Sequence, residues 1–252
     1  GSLTGSVSGM SGKRSAHERF PEVIAAAVRV FTHDGYRGAR MSDVARAAGL
    51  SEAALYRYVE SKEGLFVLAI RHALLLEDMP AAEGPGAAFP LKPPSLGLMI
   101  GEARDFVAAE VPFGSLAAAL EGAEPDDPVA ELEAVARELF TLETQTREAA
   151  DMIERSAREL PELADLVNTG LRKPVLAALT EYLGSRARSG KLRTTPDTAA
   201  TARFVLETLT WFARHRYSDP YGAAIPDELA EDTAVDALVH ALVPVKFLGG
   251  RE

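Results

Sequence analysis

The side chains able to do chemistry are unevenly placed along this chain. The five histidines, His17, His33, His72, His215 and His240, are scattered, and there is no cysteine. Disulfides, thiolate metal sites and cysteine nucleophiles are thereby excluded. Glu131, Glu133, Glu138 and Glu143 include helical spacings, but with no base or nucleophile set beside them they read as a solvated acidic face. There is no phosphate-cradling glycine loop and no metal-ligand spacing. The expectation is a chain with no catalytic residue, no metal and no cofactor.

The stretch MSDVARAAGLSEAALYRYV, residues 41–59, meets demands of another kind. Two short helices can cross at about 90–120° only if their contact residues are small and the turn is tight. Ala45 supplies the small contact, and Gly49 stands where the chain must turn left-handed to leave the first helix. Leu50 and Leu55 plug the angle, with Val44 beneath them. Ser51 can cap the second helix through its hydroxyl, leaving the first turn free to face a groove. This is the pattern of a helix-turn-helix; the alternative is an ordinary helical hairpin with the same turn chemistry.

The elements that must hold this motif are helical. From His17 to His33 the apolar residues Phe20, Val23, Ile24, Ala27, Val30 and Phe31 recur at three- and four-residue spacing, one face of a helix that Gly35 should end. A helix over 62–76 follows the motif, with Ser61 as its cap. Residues 79–94 carry five prolines and two glycines, so no helix can cross them; they form a lid or a tether. Beyond them, helices are expected over 95–110, 113–122, 128–159 and 161–189, with Gly170 and Pro174 breaking or kinking the last, and then over 196–217 and 226–243. No strand-like alternation appears, and the fold class is all-α. The domains expected are a flexible tail (1–16), a helix-turn-helix domain (17–78), the Pro/Gly-rich loop (79–94) and a larger helical domain (95–252).

Net charge sharpens this division. The chain carries −10 overall, which suits nucleic acid poorly until it is divided by region. Residues 13–75 hold ten Lys/Arg against seven Asp/Glu, whereas the remainder holds 17 against 30. Phosphates respond to charge within a Debye length of about 8–10 Å, so a mildly basic head on an acidic body remains compatible with DNA. No apolar run approaches the roughly 18 residues of a membrane span, and the first twenty residues lack the apolar centre of a signal peptide. A cytoplasmic protein away from the membrane is expected.

Residues 22–70, EVIAAAVRVFTHDGYRGARMSDVARAAGLSEAALYRYVESKEGLFVLAI, resemble the DNA-binding domain of the TetR family. The matching features are Phe31 before Gly35-Tyr36, Val44-Ala45, Ala48-Gly49-Leu50-Ser51, Leu55-Tyr56, and Ser61-Lys62-Glu63 with Leu65. The segments 159–164 and 189–193 are similar to elements of that family's second domain. The resemblance implies that 52–59 is the recognition helix in a major groove, with Tyr56 and Lys62 touching phosphates. Arg40 and Ala54 stand where the family often has Thr; Arg40 can reach a phosphate instead. On the recognition helix Arg57 can read guanine, Glu52 can accept from a cytosine amino group, and Ala53 can meet a thymine methyl. Lys13 and Arg14 could brush a minor groove from the tail, with a solvated tail as the alternative.

For the second domain the resemblance implies a small-molecule effector and a dimer. The helices near 196–217 and 226–243 carry apolar residues on more than one face, enough for a symmetric four-helix interface in a homodimer. Met99, Phe106, Phe140, Met152, Phe204 and Trp211 are candidates to line a pocket for a largely apolar effector. The function expected is a dimeric, ligand-responsive regulator, most commonly a repressor, on a palindromic double-stranded operator. The rival readings are a helical interaction module that has lost specific DNA binding and an all-α enzyme.

Overall fold

The three-residue and four-residue recurrence of apolar side chains at 20–31 becomes α1, Ala16–Gly38 in a computed structural model of the chain that describes residues 16–74, 88–111 and 114–249. Val23, Ile24, Ala27 and Phe31 are buried on one face. At Gly35 the backbone leaves the helix (φ 71°, ψ 177°) before a last turn forms, so the glycine breaks the helix where the sequence suggests.

Two short helices follow, α2 (Met41–Ala47) and α3 (Glu52–Leu55), and then α4 (Lys62–Ala73). Past Leu55 the chain continues in tight i→i+3 bonds, Arg57 N–H to the Ala54 carbonyl and Tyr58 N–H to the Leu55 carbonyl. The recognition segment is therefore one α-turn finished by a tighter one. Segment 88–94 returns along this end: Leu91 N–H donates to the Tyr58 carbonyl at 2.8 Å, and Phe89 packs on Phe20 and Tyr58 with ring centroids 5.3 Å from each. The described end of the Pro/Gly-rich loop is thus packed against the head. Residues 75–87, like the tail with Lys13 and Arg14, lie outside the described residues.

The rest of the chain is α5 (Leu96–Glu110), α6 (Gly114–Glu121), α7 (Pro128–Gln145), α8 (Arg147–Ala157), α9 (Pro161–Asp165), α10 (Lys173–Arg188), α11 (Thr198–Ala213) and α12 (Asp227–Leu242). Among the described residues the only β pairing is an isolated bridge between Val59 and Leu91, and no helix is long and apolar enough to cross a membrane. The single helix expected over 128–159 is two. Thr144 and Thr146 turn their hydroxyls back onto the Phe140 and Leu142 carbonyls at 2.9 and 2.7 Å, which bends a helix, and α7 gives way to α8 at Thr146. Around Gly170 the chain widens into a π-helical stretch, Leu166–Arg172, that feeds the turn carrying Pro174.

Two hydrophobic cores result. One joins α1–α4 with α5, α8 and α9: Phe31, Phe66 and Ile70 share it with Met99, Met152, Ile153 and Leu163. The other fills the space among α6, α7, α10, α11 and α12. Buried arginines staple this second core. Arg186 grips Glu131 with two hydrogen bonds of 2.8 Å and also donates to the Ala119 carbonyl, and Arg216 links the Phe212 and Ile225 carbonyls to Asp227.

Candidate nucleic-acid interface

The turn between α2 and α3 is built by three local devices. Gly49 has φ +66°. Leu50 N–H returns to the Ala45 carbonyl at 2.8 Å and Gly49 N–H to the Arg46 carbonyl at 3.1 Å, the paired bonds that close a helix on a left-handed residue. Ser51 then starts α3, its hydroxyl accepting the Ala54 N–H at 3.2 Å. Ser61 repeats the device for α4, accepting the Gly64 N–H at 3.0 Å.

These devices sort the side chains of residues 51–59. Ala54, Leu55, Tyr58 and Val59 are buried, beside Val44 and Ala45 of α2. Glu52, Ala53, Tyr56 and Arg57 are exposed, as is Arg40 just before α2. Ala54, where a hydroxyl is frequent in the resembled family, is buried and offers no hydrogen-bonding group. Tyr56 is 42% exposed, an apolar ring with a free edge. Together the outward residues offer a carboxylate, a methyl, a phenol and two guanidinium groups, the groups that meet base edges and phosphates.

Lys62 is placed differently. It is half-buried, its Nζ donates to the Arg37 carbonyl at 3.3 Å, and it lies over the Tyr36 ring at 4.8 Å. Burial lowers the pKa of its ammonium, and the Glu159 carboxylate opposes that shift. In this arrangement Lys62 fastens the end of α1 to the start of α4.

The sequence gives no hint of what else holds that corner. Tyr36 N–H donates to the Ser156 hydroxyl at 3.1 Å and Arg37 N–H to the Glu159 carboxylate at 2.8 Å. Ser156 is wholly buried. Both acceptors lie about 120 residues downstream, so no local signal could have found them. Arg37 and Arg46 are also exposed on the head, Arg46 held to Asp43 at 2.7 Å.

The six residues expected to line an effector pocket are not brought together. Met99 and Met152 are buried in the core shared with the head, Phe106 packs on that core, and Phe140 is buried in the other. Phe204 and Trp211 face outward, 54% and 37% exposed. Elsewhere in the body Arg214 pairs with Glu154 and Arg172 with Glu207. Glu143 lies near both arginines, but burial outweighs their attraction and raises its carboxyl pKa. Among the described residues no group of histidines and carboxylates is arranged to hold a metal.

Residues 23–69 match the family model described as bacterial regulatory proteins, tetR family. No curated protein matches the chain. Solved structures share the fold along the length. A Mesorhizobium loti MAFF303099 protein assigned to the TetR-family transcriptional regulators is 17% identical, with a TM-score of 0.50 over 92% of this chain and 100% of that one. AibR, in complex with isovaleryl coenzyme A and operator DNA, is 19% identical, with a TM-score of 0.51 over 87% and 97%. SmeT, in complex with triclosan, is 17% identical, with a TM-score of 0.51 over 91% and 94%. The head, residues 23–69, thus matches the tetR family of bacterial regulatory proteins, and the fold that carries it is shared along the length with solved TetR-like structures.

Proposed function

We propose that the chain is a dimeric repressor that binds a palindromic operator and is released by a small molecule. One observation carries the DNA-binding part: Glu52 and Ala53 of α3, with Tyr56 and Arg57 of the turn that follows it, all stand outward on a segment whose opposite side is locked into the core. Arg57 reads guanine, Glu52 accepts from a cytosine amino group, Ala53 meets a thymine methyl, and Tyr56 and Arg40 anchor phosphates. Lys62 reaches a phosphate by exchanging the Arg37 carbonyl for it.

Dimerisation is supported by the exposed apolar groups on α11 and α12. Phe204 and Trp211 are seven residues apart, on one face of α11, and Leu229 of α12 is 56% exposed. Large apolar groups left in water on adjacent helices suit an isologous contact. The dimer would set its two recognition helices about 34–36 Å apart, one turn of DNA. Release by a small molecule is supported by the complexes of AibR and SmeT with isovaleryl coenzyme A and triclosan. The effector changes DNA affinity only by binding one arrangement of head and body better than the other. The natural division of labour puts operator binding in 17–78 and effector binding and dimerisation in 95–252, joined through 79–94, and the cytoplasm is its compartment.

The test is selection of bound sequences from randomised duplex DNA, with affinity followed across salt. The expected result is a palindrome whose recognition weakens at one position in Arg57→Ala, by about 1–3 kcal/mol. Weak, sequence-independent binding unaffected by that change would favour the interaction-module reading.

A further inference from the structure

Between head and body lies a cavity of about 490 Å3, within the range of small-molecule sites. Its walls come from α1 (Ala25, Val28, Arg29), the end of α4 (His72, Ala73) and the corner of α7 and α8 (Thr144, Gln145, Arg147, Glu148). The walls thus belong half to the helix-turn-helix unit and half to the regulatory body. Val28, Ala25 and Ala73 give it an apolar floor.

Its charge is unusual. Among the described residues neither Arg29 nor Arg147 has a carboxylate within ion-pair distance, although the body is strongly acidic. Arg147 is half-buried and rests over the Tyr217 ring at 4.0 Å, which fixes its place. The start of α8 adds to this: its first turn has no side-chain cap, because the Thr146 hydroxyl is turned back to the Leu142 carbonyl. Uncapped N–H groups at a helix start favour an anion. The lining carries two guanidinium groups against the one carboxylate of Glu148, beside an apolar floor, while Asp151 and Asp227 act on Arg147 from outside the lining.

We infer that this cavity is a binding site for a small amphiphilic carboxylate, its charged end held between Arg29 of α1 and Arg147 of α8 and its apolar end on Val28 and Ala73. A ligand there bridges the DNA-binding head and the body. The consequence for DNA rests on the regulator reading; the binding does not.

The test is calorimetric titration of the full chain with sodium octanoate in the absence of DNA, with octanol as the neutral control. One octanoate per chain is expected, bound at least about tenfold more tightly than octanol. Arg29→Gln, a change at an exposed position, weakens octanoate by about tenfold and leaves octanol unaffected. Ala25→Trp, which fills the cavity, removes both. Absence of octanoate binding, or binding indifferent to Arg29→Gln and to Arg147→Gln, overturns the site. Because no operator is present, either outcome is read separately from success or failure of DNA recognition.

Discussion

Gly49 has φ +66° with no atom within 4 Å of where a Cβ would stand. Gly49→Ala therefore meets no clash, and its cost is the left-handed backbone alone, about 1–2 kcal/mol in urea unfolding. A loss of more than about 4 kcal/mol would mean that the turn is packed, not open. Glu143 makes a prediction of a different kind. Burial raises its carboxyl pKa in the folded chain despite Arg214 and Arg172, so the folded state binds that proton more tightly than the unfolded one. Above the raised pKa the group is ionised in both states and burial of its charge lowers stability. As pH falls through the raised value and on to the unfolded value, this penalty is relieved. Glu143→Gln should accordingly raise the urea midpoint at pH 7–8, with the gain shrinking toward pH 4. A gain independent of pH would assign the effect to packing. Asp227 has the opposite sign: Tyr217 and Arg216 lower its pKa through hydrogen bonds, and its contribution is lost as pH falls.

At the scale of elements, α8 is the part that sequence reading least reveals. The helix-turn-helix is legible because its requirements are local: Ala45, Gly49, Leu50, Ser51 and Leu55 act within eleven residues of one another. Ser156 and Glu159 are not, since what makes them matter is the end of α1 brought against them by folding. Lys62 shows the same limit, because a lysine at a helix start suits a phosphate equally well until the Arg37 carbonyl and the Tyr36 ring are seen beside it. Phe204 and Trp211 fail for another reason: apolar periodicity marks a face that leaves water, whether into a pocket, a core or a partner. Ser156→Ala leaves the Tyr36 N–H without its side-chain acceptor. Chemical denaturation should show a loss of about 1–3 kcal/mol, while Glu159→Gln, which keeps an acceptor for Arg37, should lose less. Equal losses would show that charge, not hydrogen-bond acceptance, holds the corner.

For the whole molecule, the proposed dimer rests on the outward face of α11 and α12, where Phe204, Trp211 and Leu229 are exposed. Trp211→Glu combined with Leu229→Asp changes residues already in contact with water, so the helical content by circular dichroism should persist. Sedimentation should shift to the monomer, and specific operator affinity should fall with it. An unchanged sedimentation coefficient would remove this face from the interface. The core shared by α1–α4 with α5, α8 and α9 has a consequence for engineering. Cutting at residue 79 would strip Phe31, Phe66 and Ile70 of Met99, Met152 and Leu163. A chimera that borrows only residues 1–78 would inherit the proposed reading surface without the body residues that complete its core. On the proposed DNA-reading role, an exchange of specificity between relatives is better made at the exposed positions 52, 53, 56 and 57, or by transplanting the head together with α5, α8 and α9.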